Sequence, residues 1–343
     1  MVNYVDVKNM GRWIADTGIE PIIMGIVSYL EQDYAKWPQF DKSPRVAAHS
    51  AEGVIELMPT SDGETYAFKY VNGHPSNPNN GFQTVTALGM LARVDNGYPT
   101  FFSEMTLLTA LRTAATSVLA ARALARPDSS VLALIGTGTQ SEFQALGFRA
   151  AFGITQLRIW DTDPAALDKF VRNMEPLGFE IVRATSAAEA AAGADIVTTC
   201  TADKANATIL TADMIEPGMH LNAIGGDCPG KTELEAEIVR NATVFVEFPE
   251  QTRIEGEIQQ LEADSPITEL WEVLAGRRDG RTSETEVTLF DSVGFAIEDF
   301  SALRYVSDAV RGTDYAADLD LIASPANPKD LFSLVSRAPA LTA

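Results

Sequence analysis

Up to about residue 125 the chain alternates polar and apolar positions with a period of two, in short stretches. VIELM at 54–58 and YAFKYV at 66–71 each send every second side chain to one face, and NGHPSNPNN at 72–80 punctuates them. Such alternation, with Gly, Asn and Pro between the runs, reads as antiparallel strands joined by loops. An Ala- and Leu-rich stretch from about 103 to 125 predicts a long buried or half-buried helix. Arg126-Pro127-Asp128 stops it, because proline disfavours helix in the residue before it.

Beyond Pro127 strands and helices take turns. VLALI at 131–135 is a short apolar run, followed by a helical pattern over 139–152. LRIW at 157–160 closes on Asp161, and Asp163-Pro164 is a helix start with Asp as cap and Pro at the first helical position. EIVRA at 180–184 precedes the capping-box pattern Ser186 to Glu189. DIVTT at 195–199, HLNAI at 220–224, TVFVE at 243–247 and TLF at 288–290 follow as strands, then a helix over 295–310. This order predicts an α/β protein whose parallel sheet has helices on both faces. The expected architecture is a doubly wound domain over 126–310 preceded by a β-rich α+β domain over 1–125. The tail, about 311–343, is expected to pack back on the first domain.

The charge narrows the partners. Acidic residues number 47 and basic residues 26, so the net charge is −21. A surface this acidic repels nucleic acid and anionic lipid, so neither is an expected partner. Two cysteines, Cys200 and Cys228, exclude a disulfide scaffold, and His49, His74 and His220 share no metal-ligand spacing, so no metal site is expected. MVNYVDVKNM lacks the basic start and apolar core of a secretory signal, and the apolar stretch 107–125 carries Arg112 and Arg122. No membrane span and a cytoplasmic location are the expectations.

GTGTQS at 136–141 directly follows an apolar strand and directly precedes a helix. Gly136 permits a tight turn, Gly138 allows close approach of a pyrophosphate, and the helix N-terminus offers free N–H groups. Ser141 stands where the G-x-G-x-x-G pattern has its third glycine; a small residue serves the same packing role. Asp161, ending the next strand, can accept hydrogen bonds from both adenosine ribose hydroxyls and would repel a 2′-phosphate, which favours NAD over NADP. The doubly wound domain is therefore expected to be Rossmann-type. The competing reading is a plain glycine turn with Asp161 as a solvated strand end. Thr201 and the segment Ala223, Ile224, Gly225, Gly226, Asp227 end further strands, where ligands sit in open α/β sheets. Asp227 reads equally as an Asp turn or as an N-cap for a helix near 232–239.

Longer strings carry a resemblance: FDKSPRV at 40–46, GVIELMP at 53–59, AFKYVNGHP at 67–75, TALRTAAT at 109–116, PGMHLNA at 217–223, GGDCPGKTEL at 225–234, QTRIEGEI at 251–258 and FDSVGF at 290–295. Through them the chain resembles the ornithine cyclodeaminase/mu-crystallin family from about residue 4 to about residue 333. The resemblance implies conversion of L-ornithine to L-proline and ammonia, with bound NAD taking hydride from the α-carbon and returning it to the cyclic imine. It implies that Arg45, Lys69 and Arg112 face the substrate carboxylate, Arg112 also facing the cofactor. Asp227 would bind the far amine and act as general base, Glu56 would be a second acid facing the substrate, and Val293 would wall the pocket. Thr84, Lys231 and Ser292 would lie at the nicotinamide end, and Thr139 and Gln140 over the pyrophosphate. It also implies a homodimer.

Each of these residues has a plainer reading. Lys69 lies in an apolar strand and Arg112 in an apolar helix, and both are costly to bury without an anion. Lys69 could instead face solvent, and either could sit in a fixed ion pair. Arg45 reads as an exposed loop charge, Glu56 as the polar face of its strand, and Lys231 as a charge beside a helix start. His49 reads as structural, His220 as bonded to backbone, and Cys228 as a small buried side chain. Two other enzyme classes fit the family: an NAD(P)-dependent imine reductase or amino-acid dehydrogenase, which would release NADH, and a cyclodeaminase for lysine or arginine. A non-catalytic binding protein also fits. One methylene is worth only about 1–3 kcal/mol of discrimination, so chain length is not legible from composition.

Overall fold

In the computed structural model, which describes residues 2–202 and 207–336, the alternating stretches become one seven-stranded sheet. Its strands are β1 (Val2–Val5), β2 (Val46–His49), β3 (Val54–Ser61), β4 (Thr65–Gly73), β5 (Ala87–Arg93), β6 (Pro99–Glu104) and β15 (Ala317–Leu319), in the order β15-β1-β6-β5-β4-β3-β2. All neighbours are antiparallel except β1 and β6. Within the tail, β15 pairs antiparallel with β1. Period two decides the faces. Glu56 and Met58 on β3 and Ala67, Lys69 and Val71 on β4 are buried on the inner face. Val46, Leu57, Tyr70 and Leu88 are register partners in one row on the outer face, and Val46, Leu57 and Leu88 are exposed.

The inner face is covered by α10 (Ala296–Val310), which packs on β3, β4 and β5 and in turn meets α2 (Ile19–Tyr34) and α3 (Thr106–Leu124). α1 (Val7–Thr17) lies against α2 and α3. Strand–helix alternation assigned residues 296–310 to the second domain. Periodicity reports that a helix is buried, as Phe300, Leu303 and Val306 are, but not which sheet buries it. α3 begins at Thr106 rather than near 103, because Ser103 is held in β6 between Val5 and Gly89. α3 is long and apolar enough to cross a membrane by length and composition, and most of it is buried inside the protein.

The second sheet is wholly parallel: β7 (Val131–Ile135), β8 (Gln156–Trp160), β9 (Glu180–Arg183), β10 (Ile196–Thr199), β11 (His220–Ala223), β12 (Thr243–Val246), β13 (Thr268–Glu269) and β14 (Thr288–Asp291). Its order is β13-β12-β14-β11-β10-β7-β8-β9, so the chain reverses direction across the sheet at β7. A ligand crevice is expected beyond the carboxyl end of such a strand. Between the strands run α4 (Ser141–Phe152), α5 (Pro164–Met174), α6 (Ala187–Ala191), α7 (Ala236–Asn241), α8 (Pro249–Glu255) and α9 (Leu270–Leu274). Asp163 caps α5 by accepting from Ala165 N at 2.9 Å, with Pro164 at the first position. Ser186 accepts from Glu189 N at 3.1 Å, and Glu189 reaches back one residue further than a standard box, to Thr185 N. One continuous apolar cluster includes Met58 of β3, Leu111 of α3, Phe300 of α10 and Leu134 of β7. The two sheets are therefore joined by packed side chains, and whatever lies between them has fixed walls.

Candidate functional site

Between the sheets lies a cavity of about 790 Å³, within the range of ligand-binding clefts. The parallel sheet contributes loops at its strand ends. β7 runs into Gly136, whose φ is +101°, and a Cβ there would stand 2.8 Å from the carbonyl oxygen of Cys200. Only glycine fits both the conformation and the space. Gly138 has nothing within 4 Å of where a Cβ would lie, so the backbone is open to the cavity. Gln140, at the N-cap position of α4, makes no capping bond, and its buried Oε1 has no partner among the described residues. The first N–H groups of a twelve-residue helix thus face a cavity without a side-chain cap. Ser141, in place of the third glycine, is fully buried and ties the turn by donating from Oγ to Gly138 O at 2.8 Å.

Asp161 is not a solvated strand end. Its carboxylate accepts from Thr137 N at 2.6 Å, Thr137 Oγ1 at 3.0 Å and Asp163 N at 2.9 Å, and it lines the cavity. Lys231 is likewise not a surface charge: it is 3% exposed, donates to Thr201 O at 3.0 Å, and lies 3.7 Å from Asp227. Asp227 is no helix cap, because the helix that follows is α7, with Glu235 at its N-cap position. Its side chain is 58% exposed and borders the cavity.

The seven-stranded sheet and its helices contribute buried charges. Lys69, 1% exposed, donates to Asp299 Oδ1 at 2.8 Å. Arg112 pairs with the same oxygen through Nε at 3.0 Å and donates from Nη1 to Glu298 Oε2 at 2.9 Å. Its Nη2 has no hydrogen-bond partner among the described residues, and the side chain lines the cavity. Lys69 therefore does not face solvent; the ion pair and the cavity-facing position hold together. Arg45 is no exposed loop charge. It donates to Glu56 Oε2 at 3.0 Å and to the carbonyls of Val293 and Gly294 at 2.6 and 2.7 Å, with Glu255 3.1 Å from Nε. Both Nη atoms of that guanidinium donate, and Nε is ion-paired without a hydrogen bond, so Arg45 fixes Glu56 and the 293–294 turn. Ser292 donates to Glu247 at 2.5 Å.

Burial shifts several of these groups. It pulls the Lys69 ammonium down to about 8, with Arg112 acting in the same sense and Asp299 against. It pushes the Glu255 carboxyl up to about 7, against the opposing effect of Arg45, and Glu298 up to about 8, reinforced by Glu247. Of the three, only Lys69 lines the cavity; the two acids lie behind it, in the ion-pair network.

Arg45, Glu56, Lys69, Thr84, Arg112, Gly136, Gly138, Thr139, Gln140, Asp161, Thr201, Ile224, Asp227, Lys231, Ser292 and Val293 all line this one cavity. Ala223, Gly225 and Gly226 do not. Ala223 is a strand residue accepting from Ser292 N at 2.9 Å, and a Cβ on Gly225 would run into the Glu233 carboxylate. At Gly226 a Cβ would come 2.8 Å from Glu257 Oε1, so both glycines make room for buried acids. His220 bonds to side chains rather than backbone, its Nδ1 2.9 Å from Thr288 Oγ1 and its Nε2 3.3 Å from Asn222 Oδ1; burial and Arg281 push it down to about 3. Cys228 borders the cavity, and His49 is exposed beside a smaller cleft formed with Val54, Cys228 and Pro229. The residues missed from sequence are the carboxylates behind the cations, Glu255, Glu298 and Asp299, and Glu247, which holds the 292–294 turn. Two adjacent acids between apolar neighbours in the first turn of α10, Glu298-Asp299, were the available signal.

The glycine turn, uncapped helix and Asp161 fit a dinucleotide pyrophosphate and ribose, and the cavity continues from them to Lys69, Arg112 and Asp227. The family model described as the ornithine cyclodeaminase/mu-crystallin family matches residues 7–314. An ornithine cyclodeaminase of Agrobacterium fabrum is 58% identical over 337 residues, 98% of this chain and 95% of that one. Among solved structures, a lysine cyclodeaminase described for its recognition of L-lysine, L-ornithine and L-2,4-diaminobutyric acid superposes with a TM-score of 0.88, at 31% identity, over 96% of this chain and 98% of that one. An archaeal alanine dehydrogenase dimer with bound NAD superposes with a TM-score of 0.84, at 30% identity, over 94% of this chain and 99% of that one.

Proposed function

This chain belongs to the ornithine cyclodeaminase/mu-crystallin family, and on that premise we propose that it converts L-ornithine to L-proline and ammonia using NAD that is regenerated within each turnover. The observation that carries the reading is the continuity of one cavity from the Gly136–Gln140 turn to a cationic wall and an accessible carboxylate. Bound NAD⁺ supplies the acceptor for the α-hydrogen and later the donor that returns it, so no net oxidant is consumed.

The chain's own residues do the rest. Lys69 and the open Nη2 of Arg112 bind the substrate carboxylate, because a desolvated cationic pair favours an anion there. Arg45 acts at one remove, holding Glu56 toward the substrate. Asp227 receives the distal ammonium and takes its proton, since an amine must be neutral to attack. Lys231 lies 3.7 Å from the carboxylate of Asp227 and steadies its charge. Asp161 binds the ribose hydroxyls and disfavours a 2′-phosphate. The exposed outer row of Val46, Leu57 and Leu88, with Ile55 and Tyr66 beside it, supports a homodimer, because contiguous exposed apolar surface marks an interface.

Incubation with L-ornithine and a catalytic amount of NAD⁺ tests the reading. Equal amounts of proline and ammonia should form with no steady build-up of NADH. Continuous NADH release would identify a dehydrogenase instead. Light scattering should give twice the chain mass.

A further inference from the structure

We propose that Asp299, seconded by Glu298, is a positioning residue that sets the two cavity cations as one carboxylate clamp. This rests on the reading that the cavity takes an α-amino acid, and it concerns residues that do not line the cavity. Asp299 Oδ1 accepts from Lys69 Nζ at 2.8 Å and stands 3.0 Å from Arg112 Nε. One oxygen thus serves two cations that come from different elements, a strand and a helix. Left alone, two like charges this close would repel and turn apart. The shared anion holds them together and fixes which N–H groups remain for the cavity. Glu298 does the same for the other end of Arg112, and is itself steadied by Tyr34, whose hydroxyl lies 3.4 Å away.

The surroundings leave the arrangement little freedom. Asp299 is 1% exposed and Glu298 is fully buried. On the same face of the sheet Lys69 is flanked by Met58 and Gly89, which bring no charge. The charged groups facing Lys69 are Asp299 from α10, Arg112 from α3 and Arg45 from the segment before β2. Asp299 alone among them favours the ammonium. A consequence separates positioning from mere support: without the Asp299 charge, Lys69 must lose its proton at lower pH.

Asp299→Asn should raise KM for L-ornithine about 30-fold or more, the lower end of the scale on which truncating one partner of a buried charge pair acts, with kcat changed much less. NAD⁺ affinity, measured by titration of the purified protein, should match the unaltered chain. The alkaline rise of KM should begin at lower pH than in the unaltered chain. Glu298→Gln, which keeps a hydrogen bond but not the charge, should raise KM less and is decisive if Asp299→Asn does not fold. Unchanged KM and an unmoved pH edge in whichever variant folds would overturn the proposal. Should the unaltered protein turn over a different amino acid, the proposed substrate is wrong, and the same KM comparison with that amino acid still decides the role of Asp299. Should it accept no amino acid, both fall.

Discussion

At its Gly136–Asp161 edge the parallel sheet meets the cavity with pieces that are close together in the chain, and the seven-stranded sheet meets it with pieces that are far apart. On the first side, Gly136, Gly138, Thr139 and Gln140 form one turn, and Asp161 ends the next strand. Their work is done largely by backbone: a positive φ, an open Gly138 and an uncapped helix end. On the other side, Lys69 meets Asp299, Arg112 meets Glu298, and Arg45 meets Val293, pairings that bridge most of the chain. That half is built from desolvated side chains, each useless without its partner. A dinucleotide recognises a fixed local shape, whereas a small zwitterion needs charges set at exact separations, which only a packed interior holds still. Asp227 stands where the halves meet, on a loop of the parallel sheet but beside the cations, and it is far more open than Lys69.

The division can be broken at three places. The largest effect is expected at the junction: Asp227→Asn should lower kcat by about 10²–10⁴-fold while NAD⁺ still binds. Proline formation and NAD titration check this, and an unchanged rate would remove Asp227 from the chemistry. Next comes the local half. Gly136→Ala should cost about 1–3 kcal/mol of stability, from a left-handed backbone and a clash with the Cys200 carbonyl, and should weaken NAD⁺ while leaving the buried pairs of Lys69 and Arg112 intact. Calorimetry with and without NAD⁺ measures both.

The smallest effect is a slope. Burial raises the Glu255 carboxyl from 4.5 to about 7, so folding favours its protonated form. The stability it contributes is complete below the unfolded value and fades as pH rises through about 7. Glu255→Gln should therefore flatten the loss of thermal stability across that window. A melting-temperature profile as steep as that of the unaltered chain would show that Arg45 holds Glu255 ionised throughout.

Much of the fold was legible because its signals are local. Every predicted strand of the parallel sheet is present within a residue or two, and the Asp163 and Ser186 caps form as their spacing implies. The short β13 went unseen, because two residues carry no period. Lys69 was visible as a misfit in an apolar strand, yet the strand's pattern could not say that Asp299 would neutralise it. Gly225 and Gly226 carry a second reading that only the fold reveals. A glycine pair at a strand end suggests close approach of a ligand, and here what approaches is Glu233 and Glu257.

By itself the sequence determined the order of strands and helices, the turn that fits a dinucleotide, the acid that closes on that turn, and a family resemblance that nearly the whole chain sustains. Tertiary structure alone decided that α10 leaves the parallel sheet to roof the other one. It thereby decided that Glu298 and Asp299 lie beneath Arg112 and Lys69 and that Arg45 is held rather than free. The reason is physical: hydrogen bonds and caps act over a few residues and leave a periodic trace, while pairing of buried charges depends on which distant surfaces come to share a core.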